Sequence, residues 1–362
     1  MLLPASLTTS AYAIVVAALC VIRSAATPCV EPSVRREWRA MPVEERADWI
    51  RAVNCLANLP HNPALTPTVA PSFSQIPAVN ASGSYYDDFV YMHMDLNILI
   101  HSTGLFLPWH RWYVSVYETA LKEKCGYTGT SPYWNWSKDS SDVFSSDFFK
   151  DADPVSGLGG WGDPNTDFRV PDGGFHAMPL SYPSPHTVRR NFTAQPFNTP
   201  TAPEPLKYAN TSITPAEVSK LVNGWVGDYR GFQQYFEQFE GAHSAVHLMM
   251  GGDLGGTCPD NAPPGCTPGP TWSANEPLFW MHHAMVDKVW FDWQHKTPAN
   301  THIFFGGSVQ ALENTTINNE YPNGLPPWLH LNSTMPADGM FPPARIGDVL
   351  STTGDLLCYV YE

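Results

Sequence analysis

The stretch GLFLPWHRWYVSVYE, residues 104–118, decides the fold, because it places a proline, a histidine and an arginine at the start of an apolar helix. Proline is tolerated in the first turn of a helix and fixes the backbone there, so Pro108 would hold His110 at a predetermined position. A buried imidazole needs a hydrogen-bond partner or a metal ion. The stretch therefore has two interpretations: a core histidine that finds a partner, or a metal ligand on a rigid helix start.

The chain outside this stretch also favours helices. Apolar residues at helical spacing, together with capping signals, predict five helical segments. They span residues 42–56, 84 to about 97, about 109–124, 277–294, and a region that starts at Thr214, resumes near residue 232 and ends before Gly251. Thr214 and Glu217 form a capping-box pattern, in which the glutamate reaches back to the cap. Long Pro- and Gly-rich intervals separate the helices, so the expected fold is mainly α: one domain with a central four-helix bundle, long loops and few short strands.

Composition limits the possible functions. The 362 residues are 43% hydrophobic and 13% aromatic, which indicates a globular chain with a sizeable core. A formal net charge of −14 without a basic run argues against nucleic-acid binding. The apolar run at 11–22 is too short to span a membrane and is followed by small residues at 24–26, a pattern typical of a signal peptide. We expect a signal peptide at 1–26, a secreted, extracellular chain at 27–362 and no membrane span. No pattern indicates an oligomeric state.

The cysteines and glycosylation sequons agree with secretion. Six cysteines remain after the signal peptide, an even number that indicates three disulfides. Cys258 and Cys266 bracket a Pro/Gly-rich loop and are predicted to pair, while Cys29 and Cys358 would tie the two ends together. Sequons occur at Asn80, Asn191, Asn210, Asn314 and Asn332, and a further one, at Asn135, lies in an apolar stretch.

Two groups of histidines stand out among the thirteen in the chain. They are His93, His101 and His110 in the first group, and His243, His247 and the pair His282–His283 in the second. His243 and His247 are four residues apart and share a helix face, and the ligands of a bundle metal site enter from several helices. A lone buried histidine is usually an ordinary core residue, but two groups on strongly apolar helices predict metal sites. The remaining histidines are expected to be solvated: His61, His176, His186, His295, His302 and His330.

The ligand chemistry favours copper. HSAVH lacks the glutamate that a zinc protease needs after its first histidine, and no Glu-x-x-His pair supports a di-iron bundle. No cysteine lies within the groups, which argues against structural zinc and blue copper. Sites made only of imidazoles suit copper, and three ligands per ion leave positions open. Two such sites facing each other would bind dioxygen between them.

The same residues resemble a known family. The spacing of His93, His101 and His110, the last within FLPWHRWY, resembles the first copper site of tyrosinases and catechol oxidases. HSAVHLMMGGD at 243–253 and NEPLFWMHHAMVDKVWFDWQ at 275–294 resemble the second copper site. SPYWNW at 131–136 and the closing YVY at 359–361 are also similar to family motifs. The resemblance extends from about residue 29 to the end of the chain.

The resemblance implies a dinuclear type 3 copper site and assigns its residues. The first copper would be held by His93, His101 and His110, and the second by His243, His247 and His283, since the second histidine of the HH pair is the family's ligand. Substrate contacts would come from Phe279, Leu248 and His282. The residues that would orient the ligand imidazoles through hydrogen bonds are Arg111, Asn135 and Asp287. Arg111 and Asp287 are also proposed to pair with each other.

The resemblance also bears on substrate choice. In the family, two residues are proposed to hold a water that deprotonates monophenols. One is a glutamate that precedes the first histidine ligand of the second copper, and the other is an asparagine directly after that histidine. Here Ser244 follows His243, and the carboxylate is assigned to Glu240, with Glu237 as the competitor. We therefore expect o-diphenols to be oxidised to o-quinones while O2 is reduced to water, with monophenol hydroxylation weak or absent.

Alternatives to this function remain at the level of sequence. Within enzymes they are a tyrosinase with true monophenolase activity and an o-aminophenol oxidase. From other classes they are a haemocyanin-like oxygen carrier and a metal-free relative. Two departures from the family are expected: no cysteine lies near His101 in sequence to crosslink it, and no C-terminal shielding domain follows the tyrosine motif before Glu362.

Overall fold

The computed structural model describes residues 29–70, 76–197, 207–354 and 356–362, so the predicted signal peptide lies outside the described residues. Eight α-helices occur in these ranges: α1 Val43–Leu56, α2 Tyr85–Ile100, α3 Phe106–Cys125, α4 Pro215–Asn223, α5 Tyr229–Glu237, α6 Ala242–Met250, α7 Leu278–Lys296 and α8 Thr315–Glu320. Six short strands accompany them: β1 Ser33–Arg35, β2 Pro179–Leu180, β3 His186–Thr187, β4 Gly307–Val309, β5 Leu325–Trp328 and β6 Tyr359–Tyr361.

The core is a bundle of α2, α3, α6 and α7, as predicted. Helix α3 packs on both α2 and α7, and histidine rings from all four helices meet in the middle. Aromatic side chains fill much of the remaining interior; Trp280, for example, stacks on Tyr117 with ring centroids 3.6 Å apart. The predicted mainly α architecture with few short strands is confirmed.

Local sequence explains where the bundle helices begin and end. Ser84 and Asp87 form a complete capping box at the start of α2. Helix α3 begins at Phe106, three residues before the predicted start, so that Pro108 lies in its first turn, where no backbone N–H is needed. It ends at Gly126, whose φ of 64° lies in the left-handed region that glycine adopts most readily.

The region after Thr214 differs from the prediction in detail. It consists of three helices, α4, α5 and α6. The Thr214 side chain accepts the N–H of Glu217, as a helix cap should. The carboxylate of Glu217 accepts the hydroxyl of Tyr235 on α5 and so links α4 to α5. The capping-box pattern had predicted that this carboxylate would bind the backbone of Thr214 instead.

The two ends of the chain are joined. Strand β1 pairs in parallel with β6, and Cys29 forms a disulfide with Cys358 beside this pair. The Cys258–Cys266 disulfide is present too, so both predicted pairings are confirmed, and a third bond joins Cys55 to Cys125. Across the described residues, none of the helices combines the length and the hydropathy that a membrane crossing requires.

Candidate metal centre

The first histidine cluster comes from α2 and α3. His93 lies within α2, His101 directly follows its last residue and His110 lies in the second turn of α3. Their potential ligand nitrogens all lie within 4.8 Å of one another. His93 and His110 are buried, and His101 is half-buried at the edge of the cluster. The predicted first group is therefore a spatial cluster.

Backbone carbonyls orient the rings of the first cluster. The Nδ1 atoms of His93, His101 and His110 lie 2.7, 3.2 and 2.7 Å from the carbonyl oxygens of Thr271, Asn97 and Phe106. Neutral imidazole that donates from Nδ1 keeps a free lone pair on Nε2. Nε2 of His93 and of His110 is buried without a hydrogen-bond partner among the described residues. Such orphaned acceptors fit a metal ion, which is what the resemblance implies.

The second histidine cluster comes from α6 and α7. It holds four rings, His243, His247, His282 and His283, all buried, with potential ligand nitrogens within 4.8 Å of one another. His247 has a backbone tether, from Nδ1 to the carbonyl of Leu254 at 2.9 Å. Both nitrogens of the other three rings are buried without partners in the part of the chain that the structure describes. All four rings belong to the predicted second group, and three of them were predicted as ligands.

The packing distinguishes the two neighbouring histidines of α7. His283 stacks on His110 of the first cluster, with centroids 4.3 Å apart and an interplanar angle of 10°. His282 contacts His243 and His247, at 5.4 and 4.8 Å. The ring that faces the other cluster is therefore His283, which agrees with its assignment as the ligand.

The two clusters adjoin each other. Besides the His110–His283 stack, His101 lies 6.0 Å from His243, measured between ring centroids. Phe106 contacts His110 and His243 at 5.1 and 4.7 Å, so it bridges the clusters on one side. The two clusters therefore form one continuous group of imidazoles in the core of the bundle.

Burial keeps these imidazoles neutral, the form that binds metals. Removal from water lowers the pKa of His101 and of His247 to about 4, and the imidazole of His247 contributes to the shift of His101. For the same main reason, desolvation, the pKa lies well below 6.5 for His93, His110, His243, His282 and His283. A neutral cluster offers lone pairs to a cation at mildly acidic and neutral pH.

Phe279 lies beneath both clusters. Its ring is fully buried and contacts His283 at 4.2 Å and His93 at 5.0 Å. It therefore packs on the imidazoles and is not on the wall of the cavity described below. The same holds for Leu248 and His282, so the structure brings none of the three predicted substrate contacts to that wall, as far as the described residues go.

A cavity of about 630 Å³ opens onto the clusters. His101, His243 and His247 form its floor, and Glu237, Ser244 and Gln310 are among its walls. Many of the other lining side chains are carboxamides: Asn97, Gln234, Gln238, Asn318 and Asn319. Lysine and arginine do not occur among the described residues that line it. The volume is within the range of pockets for drug-sized ligands, so the cavity is large enough to admit an aromatic ring with a substituent.

The two candidate glutamates have different surroundings. Glu240 is exposed and lies 3.6 Å from the ammonium of Lys207. Both carboxylate oxygens of Glu237 point inward, one accepting the N–H of Ser102 at 2.5 Å and the other the amide of Gln233 at 2.9 Å. Burial raises the pKa of Glu237 to about 8, against the lowering effect of these hydrogen bonds. Both glutamates line the cavity, but the carboxylate of Glu237 is hydrogen-bonded to neighbouring residues, whereas Glu240 is exposed.

Ser244 lies on the cavity but its hydroxyl is occupied. Its Oγ donates to the backbone carbonyl of Glu237 at 3.0 Å, which caps the end of α5. The hydroxyl stands where the family has an asparagine in sequence, and its proton is directed to the backbone.

The proposed pair of Arg111 and Asp287 is present. The guanidinium Nε of Arg111 donates to Asp287, whose other oxygen accepts the hydroxyls of Tyr359 and Tyr361, each at 2.6 Å. Arg35 adds a second ion pair to Asp287 at 3.4 Å. This buried network joins α3, α7, β1 and β6. It acts on the histidines through their helices, since Arg111 follows His110 directly.

Asn135 was expected to orient an imidazole, and that prediction requires correction. Its side chain accepts the hydroxyl of Ser137 at 2.7 Å, and none of its hydrogen bonds reaches a described histidine.

Two of the histidines expected to be solvated are mostly buried instead. The His61 side chain is 13% exposed and its Nδ1 pairs with the buried Asp88 at 2.5 Å. The His186 side chain is 5% exposed and its Nε2 pairs with the buried Asp253 at 3.0 Å. These residues lie in loops whose packing no local periodicity reveals.

Several groups around the clusters were not predicted. Thr271 and Leu254 act only through their backbone carbonyls, which side-chain patterns do not reveal. Gln233 and Gln310 belong to no motif. Phe106 had a signal, because it lies one helical turn before His110 on the same face.

Comparison with known proteins agrees with this geometry. The family model described as "Common central domain of tyrosinase" matches residues 83–296, which contain both clusters. Tyrosinase-like protein phomQ1 of Diaporthe leptostromiformis is 30% identical over 356 residues, covering 92% of this chain and 78% of that protein. N-acetyl-6-hydroxytryptophan oxidase ivoB of Emericella nidulans is 29% identical, with coverage of 91% and 92%.

A solved structure is similar as well. A mutant polyphenol oxidase from Thermothelomyces thermophila superposes with a TM-score of 0.65 and 26% sequence identity. The superposition covers 91% of this chain and 89% of that one. The fold is therefore shared along most of both chains.

Proposed function

The chain belongs to the tyrosinase family, and from that membership we propose that it is a type 3 copper oxidase that converts o-diphenols to o-quinones. Copper is implied by the family and by the histidine core. We assign two ions, one to each cluster, with these ligands: His93, His101 and His110 for the first, and His243, His247 and His283 for the second. The observation that carries the proposal is the set of buried, partnerless imidazole nitrogens facing one another across two adjacent clusters of the described chain.

The bound copper pair supplies the redox chemistry, in which two diphenols lose two electrons each and one O2 becomes two waters. The protein's part is binding and orientation. The cavity admits a phenol ring to His101, His243 and His247, while Phe106 and Phe279 exclude water from the other sides. The carbonyl tethers keep the Nε2 lone pairs directed inward without rearrangement.

We propose that monophenol hydroxylation is weak or absent. That activity is attributed in the family to a water held between a glutamate and an asparagine. Here Ser244 donates its proton to a backbone carbonyl, and Glu240 faces Lys207 in solvent. Glu237 has no asparagine partner next to His243, which supports diphenol oxidation over monophenol chemistry.

The cavity walls further limit the substrate. Carboxamides donate and accept hydrogen bonds without carrying charge, and no basic side chain among the described lining residues would attract a carboxylate. We propose phenols with neutral or cationic substituents over phenolic acids. An o-aminophenol oxidase is the second candidate, because the same open cavity admits that ring equally well.

An oxygen carrier is disfavoured by the cavity, since a carrier must keep phenols away from its metal pair. Copper quantitation together with rates on catechol, tyramine and 2-aminophenol tests the proposal. Two coppers per chain and fastest turnover of catechol are expected. Reversible O2 binding without catechol turnover would contradict the enzymatic function, and absence of copper binding would favour a metal-free relative.

We also propose that the chain is secreted. Three disulfides among the described cysteines favour an oxidising compartment. Asn314 and Asn332 of the predicted sequons are exposed and accessible to glycosylation. A mature N-terminus near residue 27 and glycosidase-sensitive mass would support secretion, whereas an intact N-terminus in the cytosol would contradict it.

A further inference from the structure

One clustered histidine lies outside the helices. His101 follows the end of α2 with extended backbone angles, and Ser102 after it has a φ of 51°, a left-handed value that non-glycine residues rarely adopt. The Nδ1 tether of His101 to Asn97, at 3.2 Å, is the longest of the four carbonyl tethers. Helix geometry therefore fixes the other rings, but something else must fix His101.

Residues 101–104 form a segment that we call the His101 loop. Side chains from other elements hold its first three residues. The amide of Gln310 donates to the carbonyl of His101 at 2.9 Å. Glu237 accepts the N–H of Ser102 at 2.5 Å. Gln233 donates to the carbonyl of Thr103 at 2.7 Å and also to Glu237. These three consecutive residues are thus each held through the backbone by a side chain from a distant element.

The fourth residue of the loop is held by close packing. The N–H of Gly104 donates to the carbonyl of Gly307 on β4 at 2.9 Å. A Cβ on Gly104 would lie 2.8 Å from the Cα of Gly306, so only glycine permits this approach. The loop is therefore enclosed between α5 on one side and the β4 region on the other.

We propose that Gln233, Glu237 and Gln310 are positioning residues, which hold the His101 loop and thereby fix His101 as a ligand of the first copper. This inference rests on the proposed copper function. It gives Glu237 a role in which one carboxylate oxygen binds Ser102 of the loop and the other binds Gln233. No cysteine precedes His101 nearby in sequence, so hydrogen bonds fix this ligand.

Gln310 offers the cleanest test, because it is half-buried and makes a single described hydrogen bond to the loop. Gln310→Met keeps the shape and removes the donor, and Gln310→Lys restores an N–H. The matched control is Asn319→Ala, which removes another carboxamide of the same cavity wall, one that makes no described hydrogen bond to the loop. Copper content is measured during competition with a chelator, alongside the thermal midpoint of each copper-free protein.

The wild-type chain should hold two coppers. Gln310→Met should lose one of them at about tenfold lower chelator concentration, the usual cost of removing a partner that orients a ligand, while the second copper stays. Gln310→Lys should recover the first copper, Asn319→Ala should match wild type, and the copper-free midpoints should agree. Glu237→Gln combined with Gln310→Met should be non-additive, because both act on one loop.

Two results would overturn the inference: Gln310→Met retaining both coppers at wild-type affinity, or losing both together. If Gln310→Met does not fold, Glu237→Gln alone carries the same stoichiometry test. A wild-type chain that binds fewer than two coppers would instead count against the proposed function, so the two failures are distinguishable.

Discussion

The two histidine clusters achieve similar burial by different means. All three rings of the first cluster are tethered at Nδ1 by backbone carbonyls, whereas one of four rings in the second has such a tether to a described residue. The second cluster is held by packing against Phe106, Phe279 and the first cluster itself. The rings of the first cluster are therefore oriented by backbone carbonyls, with His101 also held through its loop, and those of the second depend mainly on the side chains packed around them.

This difference has a consequence for metal loading. A tethered ring presents its lone pair before the metal arrives, so little ordering remains to be done on binding. Rings without tethers must be ordered by the metal or by packing. We expect the second cluster to respond more strongly to any change in the packing between α3 and α7.

The largest effect should come from Asp287, which joins the helices of both clusters. Asp287→Ala leaves the buried guanidinium of Arg111 without its carboxylate, while Arg35 keeps its ion pair with Glu118. Breaking a buried pair in this way costs about 3–5 kcal/mol. The free energy of unfolding from urea titrations measures this. The control Asp292→Ala breaks a half-exposed pair on the same helix and should cost below about 1 kcal/mol. A loss of under about 1 kcal/mol for Asp287→Ala would show that the clusters are not joined through this network.

The neighbouring histidines of α7 provide a matched pair for the second cluster. His283→Asn should lower copper affinity by more than about a hundredfold, since even partners that only orient a ligand cost 10–100-fold. His282→Asn should cost less than about tenfold, because that ring faces away from the first cluster. Isothermal titration with copper measures both variants. The opposite order would make His282 the ligand and reverse the assignment.

The stability of the copper-free protein should depend on pH in both clusters. Burial holds the pKa of His101 and His247 near 4, below 6.5 in the unfolded chain. As pH falls from about 6.5 towards 4, these histidines bind protons in the unfolded chain but stay neutral in the folded chain. The free energy of unfolding therefore decreases by about 1.4 kcal/mol per pH unit for each such group. Urea titrations between about pH 7 and pH 5 measure the slope.

Single variants assign that slope to its histidines. His101→Asn should reduce this slope by up to about 1.4 kcal/mol per pH unit, the contribution of one buried imidazole. Stability that stays constant between about pH 7 and pH 5 would contradict the burial of neutral imidazoles in either cluster.

The smallest effect concerns the wall next to the second cluster. Ser244→Asn places an amide beside His243 and Glu237, and the ratio of monophenol to diphenol rates should rise about threefold to tenfold, the contribution of one hydrogen bond to a held water. Ser244→Ala is the control and should leave the ratio near wild type. If the ratio of monophenol to diphenol rates is unchanged in Ser244→Asn, Glu237 does not take part in monophenol hydroxylation.

The same contrast explains how much the sequence could predict. The first cluster follows from spacing, because its residues lie on consecutive helices and end in the FLPWHRWY stretch. In the second cluster, His282 and His283 are adjacent in sequence, so spacing does not distinguish them. The resemblance assigns His283 as the ligand, and the stack of His283 on His110 agrees with that assignment. Glu240 was preferred to Glu237, but α5 ends at Glu237 and the turn that follows places Glu240 in solvent.

The residues that position His101 were not predictable from local pattern. Glu237 and Gln310 contact the loop across 135 and 209 positions of sequence. Gln310 lies in no motif, and glutamines have no strong preference for sites of this kind. Tertiary packing alone brings both side chains to the loop. The sequence therefore predicted the positions of the helices and the residue type of the ligands. It did not predict the residues that hold those ligands in place.

The most direct test of the central claim is anomalous diffraction at the copper edge from crystals of the copper-loaded protein. We predict two peaks, one among the Nε2 atoms of His93, His101 and His110 and one among His243, His247 and His283. A single peak, or a second ion bound away from these rings, would contradict a copper pair shared between the clusters.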